Sequence, residues 1–112
     1  MINITIVKIK QKIVTIETTG HSGYAEAGSD VVCSAVSALM QSLQTGLEMV
    51  LKINAIINID EEIPHMSISL PKDLSEDDMK NAQMLMRTTE LSLKGVQNGY
   101  EKYIKIKEKQ HD

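Results

Sequence analysis

Apolar and polar positions alternate along the opening of the chain. Ile2 to Lys10 and Lys12 to Thr19 are rich in β-branched residues and predict two strands. They turn at Lys10-Gln11-Lys12, which holds none of the Gly, Asn or Asp that favour tight hairpins. Gly20 to Ser29, with three glycines, predicts a loop. A helix is then expected from a cap at Ser29 or Asp30 to near Lys52, burying Val32, Val36, Leu39, Leu43, Leu47 and Val50. Ile53 to Ile59 is apolar on both faces and predicts a central strand. After Asp60-Glu61-Glu62, the segment His65 to Leu70 alternates, with Met66, Ile68 and Leu70 inward and His65, Ser67 and Ser69 outward. Ser75 and Asp78 open a second helix as a capping box, stapled by Leu74 and Met79. Its buried face is Met79, Ala82, Met86, Leu93 and Val96, and Gly99 suits a left-handed terminus. Tyr103 to Lys107 predicts a last strand. The order ββαββαβ implies an α+β two-layer sandwich, with both helices on one face of a five-stranded sheet.

At 112 residues the chain fits one domain, 1–112, with a frayed tail over 107–112. It has no Phe, no Trp, three Tyr and seven Met, so aliphatic side chains and methionine must fill the core. Its single cysteine forms no intramolecular disulfide, which points to a reducing, cytoplasmic setting. The amino terminus lacks the pattern of a signal peptide, and no apolar run approaches the roughly 20 residues of a membrane span. A net charge of −3 makes no case for direct nucleic-acid binding.

Cys33 changes the picture. It lies twelve residues after His21 and, with Asp30 as cap, near a helix start. Unpaired first-turn amides and the helix dipole there favour a thiolate, the nucleophilic form of cysteine. An imidazole within reach completes the activation and later protonates the leaving group, and His21, beside a glycine-bearing loop, is the candidate. Gly28 and the first-turn amides suit a developing oxyanion. Asp30 either caps the helix or orients His21. As anions, Asp30 and Glu26 oppose the thiolate unless a cationic His21 offsets them. Ser37, one turn after Cys33, either donates to the site or bonds back to a helix carbonyl.

The plain alternative is a small buried hydrophobe at Cys33, the ordinary fate of a lone cysteine in an apolar helix. His65 reads as a strand-edge polar residue and His111 as part of the tail. No Cys/His spacing suggests zinc, no phosphate-loop or dinucleotide pattern occurs, and no metal or cofactor is expected. Lys102, Lys105 and Lys107 read as a solvated, protected edge.

Gly20-His21, Tyr24-Ala25 and Gly28-x-Asp30-x-Val32-Cys33-x-Ala35-x-Ser37 resemble the signature of the Prp family, the ribosomal-processing cysteine proteases. The closing Gly99-Tyr100-Glu101-Lys102-Tyr103-Ile104 is also similar to that family's end region. The resemblance implies a cytoplasmic bacterial endopeptidase, active as a homodimer. Its substrate would be the precursor of ribosomal protein L twenty-seven, whose short amino-terminal extension is removed before large-subunit assembly. Cys33 matches the nucleophile and His21 the general base and acid, while Asp30 and Ser37 match supporting positions. The loop holding Ser22, Gly23, Tyr24 and Glu26 would close over the peptide, with Glu26 attracting a basic substrate. Two other classes compete: a non-catalytic ribosome-assembly or binding module with a packed cysteine, and a redox-responsive thiol protein.

Overall fold

The computed structural model describes residues 1–20, 27–60, 62 and 65–111, with positions 27–30 described by their backbone alone. Strands β1 (Ile2–Ile9) and β2 (Lys12–Thr19) are followed by α1 (Ala27–Thr45), which widens into a π-helical turn over Gly46–Val50. Then come β3 (Ile56–Asp60), β4 (His65–Ser69), α2 (Glu76–Gly99) and β5 (Ile104–Gln110). The expected ββαββαβ order forms one five-stranded mixed sheet, ordered β3-β4-β2-β1-β5, in which β5 runs parallel to β1 and the other neighbours are antiparallel.

One face of this sheet holds the core. Ile4, Ile6, Ile16, Ile68 and Ile104 pack with Val32, Val36, Met40, Leu43 and Leu47 of α1 and with Ala82, Met86 and Leu93 of α2. The opposite face is polar: Thr15 Oγ1 lies 2.8 Å from Ser69 Oγ, and His65 Nε2 lies 3.0 Å from Glu17 Oε2. The helices approach closely at Gly46, where a Cβ would stand 2.8 Å from Leu85 Cδ1.

Several expectations needed correction. The α1 stripe runs through Met40, and Val50 is 72% exposed. The π-turn explains this: Leu51 N–H reaches back five residues to Gly46 O (3.0 Å), and the wider turn carries Val50 off the buried side. The strand after α1 lies at the sheet edge rather than at its centre, with Ile56 50% and Ile59 62% exposed. An apolar run on both faces fits a buried strand, but the topology gives this one a neighbour on a single side. Ser67 keeps the outward register yet is buried, as a short side chain flanked by Glu17 and Asn58 on adjacent strands. Gly99 stays helical; α2 ends at Tyr100 (φ −142°), whose N–H donates to Gln97 O, and the left-handed residue falls instead after the π-turn, at Lys52 (φ 58°).

The tail expected to fray from 107 onward continues β5 to Gln110, and His111 N–H donates to Lys8 O at 2.8 Å. An ion-pair chain anchors it. Lys8 Nζ lies 2.7 Å from Glu108 Oε1 and 3.6 Å from Glu90 Oε2, a carboxylate on α2 that is 2% exposed and also faces Lys94 at 3.7 Å. The hydrogen bond from Lys8 holds the Glu108 carboxyl below its ordinary range, and that same bond leads the effects raising Lys8 above its own.

The first hairpin closes on Lys10 (φ 50°) and Gln11 (φ 70°), both left-handed, which is the geometry glycine and asparagine adopt cheaply. A register shift between Val7 and Lys8 bulges β2 beside this turn. The Gln83 side chain of α2 satisfies the bulge, accepting from Ile13 N–H and donating to Ile13 O, both at 2.8 Å.

Candidate active site

Cys33 is the seventh residue of α1, because the helix begins at Ala27 rather than after Ser29 or Asp30. Its amide therefore belongs to the intrahelical ladder, and the dipole, which acts mainly within the first turn, is weaker there than a cap at Asp30 implied. Gly28 lies in the first described turn of α1, whose amides point toward the helix's amino end. Five residues at about 1.5 Å rise separate it from Cys33 by about 7.5 Å along the axis. A helical Cα–Cβ bond tilts toward the amino end, so the sulfur of Cys33 leans back toward those amides.

The thiol is half-buried. It packs against the core cluster on one side and opens on the other into a cavity of about 390 Å³. Val36, Ser37 and Met40 of α1 form one wall with Cys33; Ile59, Asp60, His65 and Met66 of β3 and β4 form the facing wall; Ile2, Thr18 and Gly20 complete it. Its lining mixes aliphatic and thioether surface with the polar residues Thr18, Ser37, Asp60 and His65.

Gly20 ends β2 at this cavity with φ 89°. A Cβ there would lie 2.5 Å from the carbonyl oxygen of Met1, so the chain turns where a side chain has no room. The next residue in sequence is His21. It lies outside the described residues, as do Ser22, Gly23, Tyr24 and Glu26 and the side chain of Asp30.

The structure thus brings Cys33 and Ser37 to one cavity, as their one-turn spacing implied. Sequence reasoning missed the facing wall. His65 is the expected strand-edge polar residue, its Nε2 3.0 Å from Glu17 Oε2 of β2 on the polar face, and it also borders this cavity, while Asp60 Oδ1 accepts the amide of Glu62 at 3.0 Å. Those residues are distant from Cys33 in sequence, and strand order alone brings them near.

Comparison with known proteins then places the chain. The model of the family described as "Cysteine protease Prp" matches residues 1–105, and the chain belongs to that family. It is a cysteine peptidase. The ribosomal processing cysteine protease Prp of Bacillus subtilis is 26% identical over 107 residues, covering 95% of this chain and 96% of that protein. Among solved structures, SMU.848 of Streptococcus mutans superposes with a TM-score of 0.87 at 28% identity, covering 99% of this chain and 96% of that one. The S. aureus ribosomal processing protease Prp, in complex with a covalently linked product peptide, gives 0.82 at 25% identity, covering 97% and 100%. No helix among the described residues is long and apolar enough to cross a membrane.

Proposed function

We propose that Cys33 is the nucleophile and His21 the general base and acid of an endopeptidase. The substrate proposed is the precursor of ribosomal protein L twenty-seven, from which the enzyme removes a short amino-terminal extension. The observation carrying this reading is a half-exposed thiol that lines a substrate-sized cavity with Gly20, the residue immediately before His21. The covalently linked product peptide of the S. aureus relative supports a covalent route.

In this mechanism the His21 imidazole takes the Cys33 proton, and the sulfur attacks the scissile carbonyl carbon. The resulting oxyanion accepts hydrogen bonds from first-turn amides of α1, Gly28 among them. As the intermediate collapses, the C–N bond breaks, the imidazolium protonates the leaving amine, and a thioester to Cys33 remains. Water, deprotonated by the imidazole, attacks the thioester; the C–S bond breaks and the thiol is restored. Because Cys33 sits beyond the first helical turn, its deprotonation depends chiefly on this imidazole. Asp30 orients His21, and Ser37 donates into the cavity beside the sulfur.

The segment containing Ser22, Gly23, Tyr24 and Glu26 covers the bound peptide, and Glu26 draws in basic residues. Glu26→Gln is expected to lower kcat/KM at low salt more than at high salt, and equal rates at both would remove that role. A single thiol fits a reducing cytoplasm. Two copies are proposed to associate through helical surface, where Met49, Val50, Met84 and Leu91 are exposed.

The test is incubation of the full-length ribosomal protein with native enzyme, Cys33→Ala and His21→Ala, followed by mass analysis. Native enzyme shortens the protein from its amino end. Both variants stay folded and lose turnover by at least about a thousandfold, as loss of a nucleophile or its base does in other proteases. A Cys33→Ala enzyme that still cleaves refutes the assignment.

A further inference from the structure

We propose that the outer edge of β3 is a strand-addition site, along which the extended main chain of the peptide substrate pairs on its way to Cys33. The inference rests on the reading of Cys33 as the nucleophile and specifies how substrate is held there.

The two sheet edges are built differently. β5 carries Lys105, Lys107 and Lys109, the kind of charged edge that resists pairing with another strand. β3 reads Ile56-Ile57-Asn58-Ile59-Asp60, with no lysine, proline or glycine, and among the described residues it pairs with β4 alone. Every second N–H and C=O of an antiparallel edge strand points away from its partner, so over Ile56 to Ile59 β3 presents outward main-chain groups that no other described strand pairs. Ile56 and Ile59, both largely exposed, give this edge apolar surface at its two ends.

Continuity with the cavity selects the occupant. Ile59 and Asp60, the last residues of β3, line the same cavity as Cys33. A peptide strand added about 4.8 Å outside β3 projects alternate side chains toward the helix-bearing face. One of these falls beside Ile59 at the cavity, and its carbonyl is brought toward the sulfur. A protease that cuts within a chain must hold that chain extended, and main-chain pairing does so without reading sequence, leaving selectivity to one side-chain pocket. Charge agrees: carboxylates of Asp60 and exposed Glu62 stand at this end, and the lysines stand at the far edge. The occupant is therefore an extended, basic peptide with an apolar residue at the cavity.

Amide hydrogen exchange on full-length Cys33→Ala protein tests this. The probe is a synthetic peptide spanning the extension and first mature residues of the ribosomal precursor, at a saturating level fixed by fluorescence anisotropy. Exchange should slow at least tenfold at alternate residues within 56–60 and stay unchanged over 104–110. Unchanged exchange over 56–60 with peptide bound overturns the proposal. So does protection that rises with protein concentration without peptide, since the edge then belongs to a second copy. Cleavage of the peptide by this variant overturns the nucleophile assignment alone, and the exchange pattern still decides the edge. In native enzyme, Ile56→Lys, outside the cavity, is expected to raise KM at least fivefold with kcat unchanged; an unaltered KM argues against the edge.

Discussion

Gly20→Ala tests whether the backbone at the end of β2 sets the position of the imidazole proposed to serve Cys33. At φ 89° an added side chain incurs about 1–2 kcal/mol of left-handed strain. The new Cβ would also lie 2.5 Å from the Met1 carbonyl oxygen, a backbone atom fixed on one side by the Ile2 N–H bond to Tyr103 O at 2.8 Å. Relieving that contact requires a shift of about 0.8 Å, since a carbon and a carbonyl oxygen rarely approach below about 3.3 Å. Because β1 is paired on both sides, most of the shift falls on Gly20 and the residue after it. The expected stability loss is about 1–3 kcal/mol, or roughly 4–12 °C in Tm for a chain of this size. A displacement of up to 1 Å at a catalytic group costs about a hundredfold in rate. Urea unfolding and peptide hydrolysis at 10 °C, where the variant stays folded, measure the two effects separately. Gly99→Ala is the control: it meets nothing within 4 Å in a helix, and should be neutral or stabilising with unchanged activity. If Gly20→Ala hydrolyses peptide within twofold of the native rate, Gly20 does not position the base.

Three further outcomes follow from the scaffold. Replacing Lys10-Gln11 by Asn-Gly should raise stability by about 1 kcal/mol in urea unfolding, because both positions are left-handed. Gln83→Met keeps the volume but leaves both Ile13 main-chain groups unpaired, and should cost about 1–3 kcal/mol by the same assay. Glu108→Gln tests linkage: a carboxyl depressed in the folded state stabilises above its unfolded value near 4.5, and that benefit vanishes as pH falls through the depressed folded value. The variant should be less stable than native at pH 7 and equal to it at strongly acidic pH, and a pH-independent difference would refute the pairing.

How much of this was legible differs element by element. The second helix was readable because its cap is local: Ser75 Oγ accepts Asp78 N–H at 3.1 Å, four residues of sequence fixing one terminus. The two helical stripes and five strands were readable from periodicity. The first turn hid its type, since Lys10 and Gln11 are unusual in left-handed backbone and the bulge beside it is held by a residue seventy positions away. The π-turn rotated Val50 outward with no composition signal. Edge placement of β3 and extension of β5 to Gln110 are long-range outcomes, fixed by pairing with β4 and by Lys8 reaching Glu108. At the site, Cys33 and Ser37 share a helix and were found by spacing. Ile59, Asp60, His65 and Met66 come from other strands and became visible only with the sheet order.

The central claim is a covalent bond between Cys33 sulfur and the substrate's carbonyl carbon. Acid-quenched mixtures of native enzyme and the ribosomal precursor, digested and mapped by mass spectrometry within the first turnover, measure it directly. The account predicts an acyl adduct of the released extension on the peptide bearing Cys33, formed before free product accumulates and absent in His21→Ala. Full turnover with that peptide always unmodified, or an adduct on any other residue, would contradict it.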